Sequence, residues 1–138
     1  MAPIAARLTV HSRTVAHYTG LERRMALRSE QQDQIMQTLD AFCDERVPIA
    51  VRDKVVLQYR IRGNDVLLFE KRPFFRQPER WIESPVAKFR YTKSTSLWTL
   101  LWPDRNTNWH DYEHIEAAED FETLLSEVDQ DPTGIFWG

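Results

Sequence analysis

The amino-acid sequence predicts an α+β fold whose elements are an N-terminal helix, an antiparallel sheet and a C-terminal helix. Apolar residues recur at helical spacing near both ends of the predicted domain, and they alternate with polar residues between those ends. The connections between the alternating segments are too short for parallel crossovers, which need a dozen or more residues. We therefore expect a meander of four to five strands.

The first helix is predicted from a capping box and an apolar face. Ser29 and Gln32 have the spacing of such a box, whose two side chains bond backbone N–H groups at a helix start. The helix should end near Arg46, because Pro48 disfavours helical geometry at the residue before it. The apolar face consists of Ile35, Met36, Leu39, Phe42 and Cys43.

After Lys54 the hydrophobic period changes to two, which predicts a strand with Val55, Leu57, Tyr59 and Ile61 on one face. Residues 63–65 are typical of a turn, so residues 66–72 should return as a hairpin partner. We expect Pro73 to end this pairing, since proline has no N–H for the ladder. Residues 74–85 contain two further prolines and are expected to form a loop anchored by Trp81.

Alternation continues in residues 86–92 and 97–102, and residues 109–112 are expected to form a short fifth strand. Phe121, Leu124, Leu125 and Val128 have the spacing of a second helix, with Asp120 as its N-cap. Residues 131–134 should end this helix, and the apolar tail 135–137 should pack on the body. Two arrangements fit these elements: a helix cradled by a curved sheet, as in cystatin-like rolls, and a flatter sheet with both helices on one face.

The chain of 138 residues is expected to hold one domain, residues 29–138, preceded by a flexible extension, residues 1–28. Met25 is an alternative start of the natural protein. The single cysteine, Cys43, permits no intrachain disulfide, and no apolar run has the length of a membrane span. We therefore expect a cytoplasmic protein that does not bind membranes.

The net charge of -3 conceals two oppositely charged regions. Residues 51–109 carry twelve Lys and Arg against six Asp and Glu, whereas residues 110–138 carry nine Asp and Glu with no Lys or Arg. These regions can pair within the chain, in which case the basic middle is not a partner site.

Signals for catalysis are weak. His110 and His114, with neighbouring carboxylates, are candidate ligands of a divalent metal, but an extended segment turns His110 and Tyr112 to one face and Asp111 to the other. Cys43 lies on an apolar helix face, where a thiol is inert. Four glycines in the whole chain exclude a glycine-rich phosphate loop. We therefore expect no cofactor and favour a role that is not enzymatic.

Two binding roles remain. A sheet face with Arg60, Arg62, Lys88 and Arg90 near Tyr91, Trp98 and Trp102 is a candidate surface for nucleic acid, by phosphate neutralisation and base stacking. Two observations argue against it: alternation places Tyr91 opposite Lys88 and Arg90 and allows Trp98 and Trp102 to be the core face of their strand, and the pI is about 5.8. The five Trp and seven Phe favour a module that binds a protein or a small ligand, which an exposed Trp81 or Trp137 would mark.

Four ordered segments, 81–91 (WIESPVAKFRY), 98–102 (WTLLW), 109–112 (WHDY) and 131–138 (DPTGIFWG), carry a family resemblance. From about residue 29 to residue 138 the chain resembles the bacterial family called domain of unknown function 3024. The resemblance implies a bacterial, single-domain, cytoplasmic protein and supplies no activity, cofactor or catalytic residue.

We therefore predict a non-enzymatic binding or interaction module, with nucleic-acid binding as the first alternative and a metal-dependent enzyme as the second. Basic and aromatic residues cluster in the predicted meander. The predicted binding residues are Trp81, Lys88, Arg90, Trp109 and His110.

Overall fold

The structure, a computed structural model, describes residues 26–138. The elements in chain order are α1 (Ser29–Arg46), a 3-10 turn (Ile49–Val51), β1 (Val56–Arg62), β2 (Asp65–Phe74), β3 (Gln77–Thr92), β4 (Leu97–Pro103), β5 (Trp109–Asp111) and α2 (Phe121–Gln130). The strands form one antiparallel sheet in the order β1-β2-β3-β4-β5. The predicted class and meander are confirmed. Residues 1–25, most of the predicted extension, lie outside the described residues.

Both helices pack on the same face of the sheet, the helix face. Tyr59 of β1 donates its hydroxyl hydrogen bond to Asp40 of α1 over 2.7 Å. Phe121 of α2 contacts Phe89 of β3 with ring centroids 4.7 Å apart. Of the two arrangements, the structure therefore has both helices on one face. The core between the layers includes Leu39, Leu57, Val66, Leu68, Leu124 and Val128.

Helix α1 begins where the sequence predicts, but its cap is different. The N-cap is Arg28, whose backbone N–H donates to the side-chain oxygen of Gln31 over 3.2 Å. The prediction of a box between Ser29 and Gln32 was wrong, because Gln32 instead donates its side-chain amide back to the carbonyl of Leu27 over 2.8 Å. The end at Arg46 is confirmed, and the N–H of Val47 closes the last turn on Cys43.

The turn between β1 and β2 lies at residues 63 and 64, where Gly63 has a φ of +60° that only glycine adopts without steric cost. Register then aligns Ile61 with Val66 and Val66 with Phe89 on the helix face. The structure shows which face of these strands is the inner one, because Leu57, Tyr59 and Ile61 are buried, as are Ala87 and Phe89.

The predicted loop at residues 74–85 was wrong. β2 continues through Pro73, which lies opposite Trp81, and β3 begins at Gln77. The three prolines are tolerated because β1 pairs with β2 only as far as Lys71 and β4 pairs with β3 only as far as Lys88, so each proline lies on a strand with one edge unpaired in the described residues. A proline whose nitrogen faces an unpaired edge loses no ladder hydrogen bond.

The chain after α2 folds back onto the body, as predicted for two of its three apolar residues. Asp131 ends the helix in a left-handed conformation with a φ of 45°. Phe136 is buried, Trp137 is half-buried and donates its indole N–H to the carbonyl of Val128 over 2.7 Å, and Ile135 remains exposed.

Candidate functional site

The face of the sheet opposite the helices, the far face, carries a row of cross-strand neighbours. The row consists of Arg60, Leu67, Lys88, Leu101 and Asp111. Strand alternation places these side chains away from the helices, because the adjacent residues Tyr59 and Phe89 point to the helix face. Three of the five predicted binding residues, namely Lys88, Arg90 and Trp109, share this far face.

Lys88 and Trp109 are in direct contact. The Lys88 ammonium lies 4.6 Å from the centroid of the Trp109 ring, a cation–π geometry. Burial lowers the pKa of Lys88, with a further decrease from the positive charge of Arg90, while Asp65 acts in the opposite direction. The sequence predicted both residues, and the structure shows that they form one unit.

The arginines of the far face are bound to carboxylates of neighbouring strands. Arg90 donates from Nε and Nη2 to the two oxygens of Asp65 over 2.9 and 3.2 Å, and this hydrogen bonding raises the pKa of Arg90. Arg60 makes the same two-pronged contact with Glu83, over 3.1 and 3.2 Å. Each pair neutralises a cation that a phosphate would otherwise meet.

The aromatic residues predicted to stack nucleic-acid bases lie on the wrong face for that role. Tyr91 and Trp98 are cross-strand neighbours on the helix face, and Trp98 packs edge-on against Phe121 in the core. Trp102 also points to the helix face, where its ring stacks on His110. The nucleic-acid alternative therefore lacks these three aromatic residues on the basic face, in agreement with the alternation of Tyr91 with Lys88 and Arg90 in the sequence.

His110 is separated by the sheet from the other predicted residues. Its Nε2 lies 2.8 Å from Asp104 Oδ2, and its ring stacks on Trp102 at 4.7 Å between centroids. Asp104 also accepts from the N–H groups of Asn106 and Asn108, so it organises the turn between β4 and β5. The hydrogen bond from His110, together with these N–H groups, lowers the pKa of Asp104. His110 thus supports a turn.

The metal-dependent alternative gains no support from the geometry. Within residues 26–138, no three His, Cys, Asp or Glu side chains are grouped so that they could hold a metal ion. His114 contacts the ring of Tyr112, at 5.2 Å between centroids. Cys43 is buried, and burial is the main cause of its raised pKa, so its thiol is not an activated nucleophile.

Trp81 belongs to a structure that the sequence did not predict. β2 has no pairing with β1 after Lys71, and β3 has no pairing with β4 before Lys88. Among the residues that the structure describes, the two strands pair only with each other in this region and form a two-stranded ribbon. We call residues 72–82 the arm, because in this segment neither strand has a second partner among the described residues. The turn of the arm is Phe75-Arg76.

The arm has an exposed apolar and basic surface. Phe75 is 79% exposed, and Trp81 and Ile82 are 39% and 37% exposed. Arg76 lies over the ring of Phe75 at 5.3 Å and Arg80 lies over the ring of Phe74 at 5.9 Å. Aromatic residues with arginine are the composition that dominates the binding energy of protein interfaces.

No helix in the described part of the chain is long and apolar enough to cross a membrane.

Alternation is the sequence signal that could have revealed the arm. Trp81, Glu83 and Pro85 alternate with Ile82 and Ser84, as in a strand, but the prolines led to the prediction of a loop.

Comparisons with known proteins identify one family. The family model described as "Domain of unknown function (DUF3024)" matches residues 27–138. Neither the search of curated proteins nor the search of solved structures gives a significant match. The matched residues include both helices, the whole sheet, the arm and the C-terminal tail.

Proposed function

We propose a function from the premise that this chain belongs to the DUF3024 family: it binds a protein partner through the arm and catalyses no reaction. The carrying observation is the arm itself, an ordered ribbon that places large apolar side chains in water. We further propose that residues 29–138 act as one domain and that the protein works in the bacterial cytoplasm. The single buried thiol and the family match support these two points.

The exposed hydrophobic side chains of the described residues are concentrated in the arm. Six large hydrophobic side chains are exposed among the described residues, and three of them, Phe75, Trp81 and Ile82, lie within the arm. Single exposed apolar residues are normal on protein surfaces, whereas a cluster marks an interaction site. Burying these three side chains on a partner would recover roughly 25 cal/mol for each Å² removed from water.

The arginines of the arm indicate which kind of partner it binds. Arg76 and Arg80 have no carboxylate partner among the described residues, whereas Arg72 is paired with Glu70 at 3.3 Å. Their planar guanidinium groups bind carboxylates with two hydrogen bonds and also stack on rings. The arm is therefore suited to a protein surface that has both acidic and apolar groups.

The prolines of the arm limit how a partner can bind. An unpaired strand edge invites another strand to add to it, and proline on that edge is a device by which proteins prevent such pairing. Pro73 lies in β2 and Pro78 lies in β3, so each strand of the arm carries a proline at its unpaired edge. Binding is therefore expected through side chains and not by strand addition.

A photo-crosslinking amino acid at position 75, introduced into the full chain in cells, tests the proposal. We expect protein adducts at this position that are lost when Trp81→Ala and Arg80→Glu are added. The matched control is the same amino acid at Ser94, which is exposed in the turn between β3 and β4. Equal adducts at positions 75 and 94, or adducts that consist of nucleic acid or lipid, would overturn the proposal.

A further inference from the structure

We propose that the partner of the arm is a second copy of this chain, which the arm meets at a groove lined by acidic and apolar residues. This inference rests on the function proposed above. The groove has a volume of about 150 Å³ and lies where the starts of α1 and α2 meet the end of β3 and the start of β4. Its floor includes Tyr91, Trp98 and Phe121, and its rim carries Glu119, Asp120 and Glu122.

The groove complements the arm in chemistry. Trp98 and Phe121 are buried beneath the groove, so its accessible surface is mainly polar, and its acidic rim suits Arg76 and Arg80. Among the described residues, the rim carboxylates form no ion pair, and the hydroxyl of Thr38 donates to Glu122 over 3.4 Å. The rim can therefore receive arginine without breaking an existing ion pair.

The two charged regions of the chain do not neutralise each other internally. Two arginines of the basic middle pair with its own acids, Arg60 with Glu83 and Arg90 with Asp65. Between described residues, the pair of Arg46 with Asp129 is the one that joins an Arg or Lys to the acidic segment 110–138. Ion pairs between the two charged regions are thus almost absent from the described residues, and Arg76, Arg80 and the rim carboxylates are available to another molecule.

An arm cannot reach the groove of its own chain. β3 begins at the turn of the arm and ends beside the groove at Tyr91, so the two sites lie at opposite ends of the same strand. Its 16 residues span roughly 50 Å at about 3.3 Å per residue. A second copy lying alongside in the opposite direction places each arm next to the groove of the other, which gives two equivalent contacts.

Sedimentation equilibrium of the purified full chain tests this inference. We expect the mass at low salt to rise with protein concentration from 16.4 kDa toward twice that value, and to return to 16.4 kDa in about 0.5 M salt, where screening is strong. Arg76→Glu with Arg80→Glu should weaken association at least about tenfold, because attraction becomes repulsion at the rim. Lys54→Glu with Arg105→Glu, which makes the same charge change on exposed residues outside the arm, should leave association unchanged.

The decisive experiment mixes a variant of the rim with the variant of the arm. Glu119→Lys with Glu122→Lys reverses the rim and should also give monomers, and its mixture with the arm variant should restore association because both contacts become attractive again. If circular dichroism shows that the rim reversal unfolds α2, Glu119→Gln with Glu122→Gln replaces it and should weaken association of the full chain.

A wild-type chain that stays at 16.4 kDa under all conditions overturns the inference, as does a mixture that fails to associate. The function proposed above is tested separately. If position 75 forms adducts with a different protein, the proposed function is retained and the inference of self-association fails.

Discussion

Substitution of Asp131 should destabilise the fold far more than the exposure of this C-terminal segment suggests. Asp131 Oδ1 accepts from the N–H of Phe136 over 3.1 Å, and Oδ2 accepts from the N–H of Trp137 over 2.9 Å. One carboxylate thus holds the tail against α2, where the Trp137 ring lies under the guanidinium of Arg46 at 3.9 Å. These contacts give the segment 131–138 a structural role.

The expected cost of Asp131→Ala is about 3 kcal/mol. Loss of two hydrogen bonds to a carboxylate costs about 1 kcal/mol each, because partial exposure to water reduces their contribution below that of a buried charged acceptor. Alanine at a φ of 45° adds roughly 1 kcal/mol, because it adopts the left-handed region less readily than aspartate does. Asp131→Asn retains one acceptor and tolerates this conformation, so about 1 kcal/mol is expected.

Urea unfolding followed by circular dichroism and by Trp fluorescence measures both variants. Asn should fall between wild type and Ala, and the unfolding slope should stay the same if the tail remains part of one cooperative unit. A loss below about 0.5 kcal/mol for Asp131→Ala, which is typical of an ordinary surface substitution, would show that the carboxylate does not hold the tail.

Three further predictions concern other parts of the molecule. Phe75→Ala in the arm should change the free energy of unfolding by less than about 0.5 kcal/mol, whereas Phe89→Ala in the core should cost about 3–5 kcal/mol, as measured by urea unfolding. Equal losses would show that Phe75 is packed as a core residue. The pKa of Asp104 is lowered, so its contribution to stability is present above the ordinary carboxyl value of 3.8 and is lost as the pH falls through the lower folded value; Asp104→Asn should flatten the acid limb of a stability profile, and an unchanged limb would contradict this. Cys43 should react with a thiol reagent at least about a hundredfold more slowly in the native chain than in urea, because burial raises its pKa; similar rates would mean that the helix opens readily.

The candidate site was only partly predictable. Clustering of basic and aromatic residues indicated Lys88, Arg90 and Trp109, which share the far face, and it indicated Trp81, which lies on the arm. The same clustering included His110, which alternation turns to the helix face beside Trp102. Distance along the chain carries no information on which face of a sheet a residue occupies unless the register is known.

The sequence by itself determined the order of elements, the limits of both helices to within a few residues and which residues of the central strands share a face. Each of these depends on local periodicity and turn chemistry, which are written in consecutive residues. The end of α1 before Pro48 and the turn at Gly63 are examples, because one residue suffices to disfavour helix or to permit a positive φ.

The tertiary structure alone decided that residues 72–82 form an arm. Proline reads as a strand breaker in sequence, but its effect depends on whether its missing N–H faces a neighbouring strand. Among the described residues that neighbour is absent at Pro73, Pro78 and Pro85, because the pairing of β1 with β2 stops at Lys71 and the pairing of β4 with β3 stops at Lys88. Where strands end relative to one another is set by packing between distant residues, and so the interaction surface emerged only with the fold.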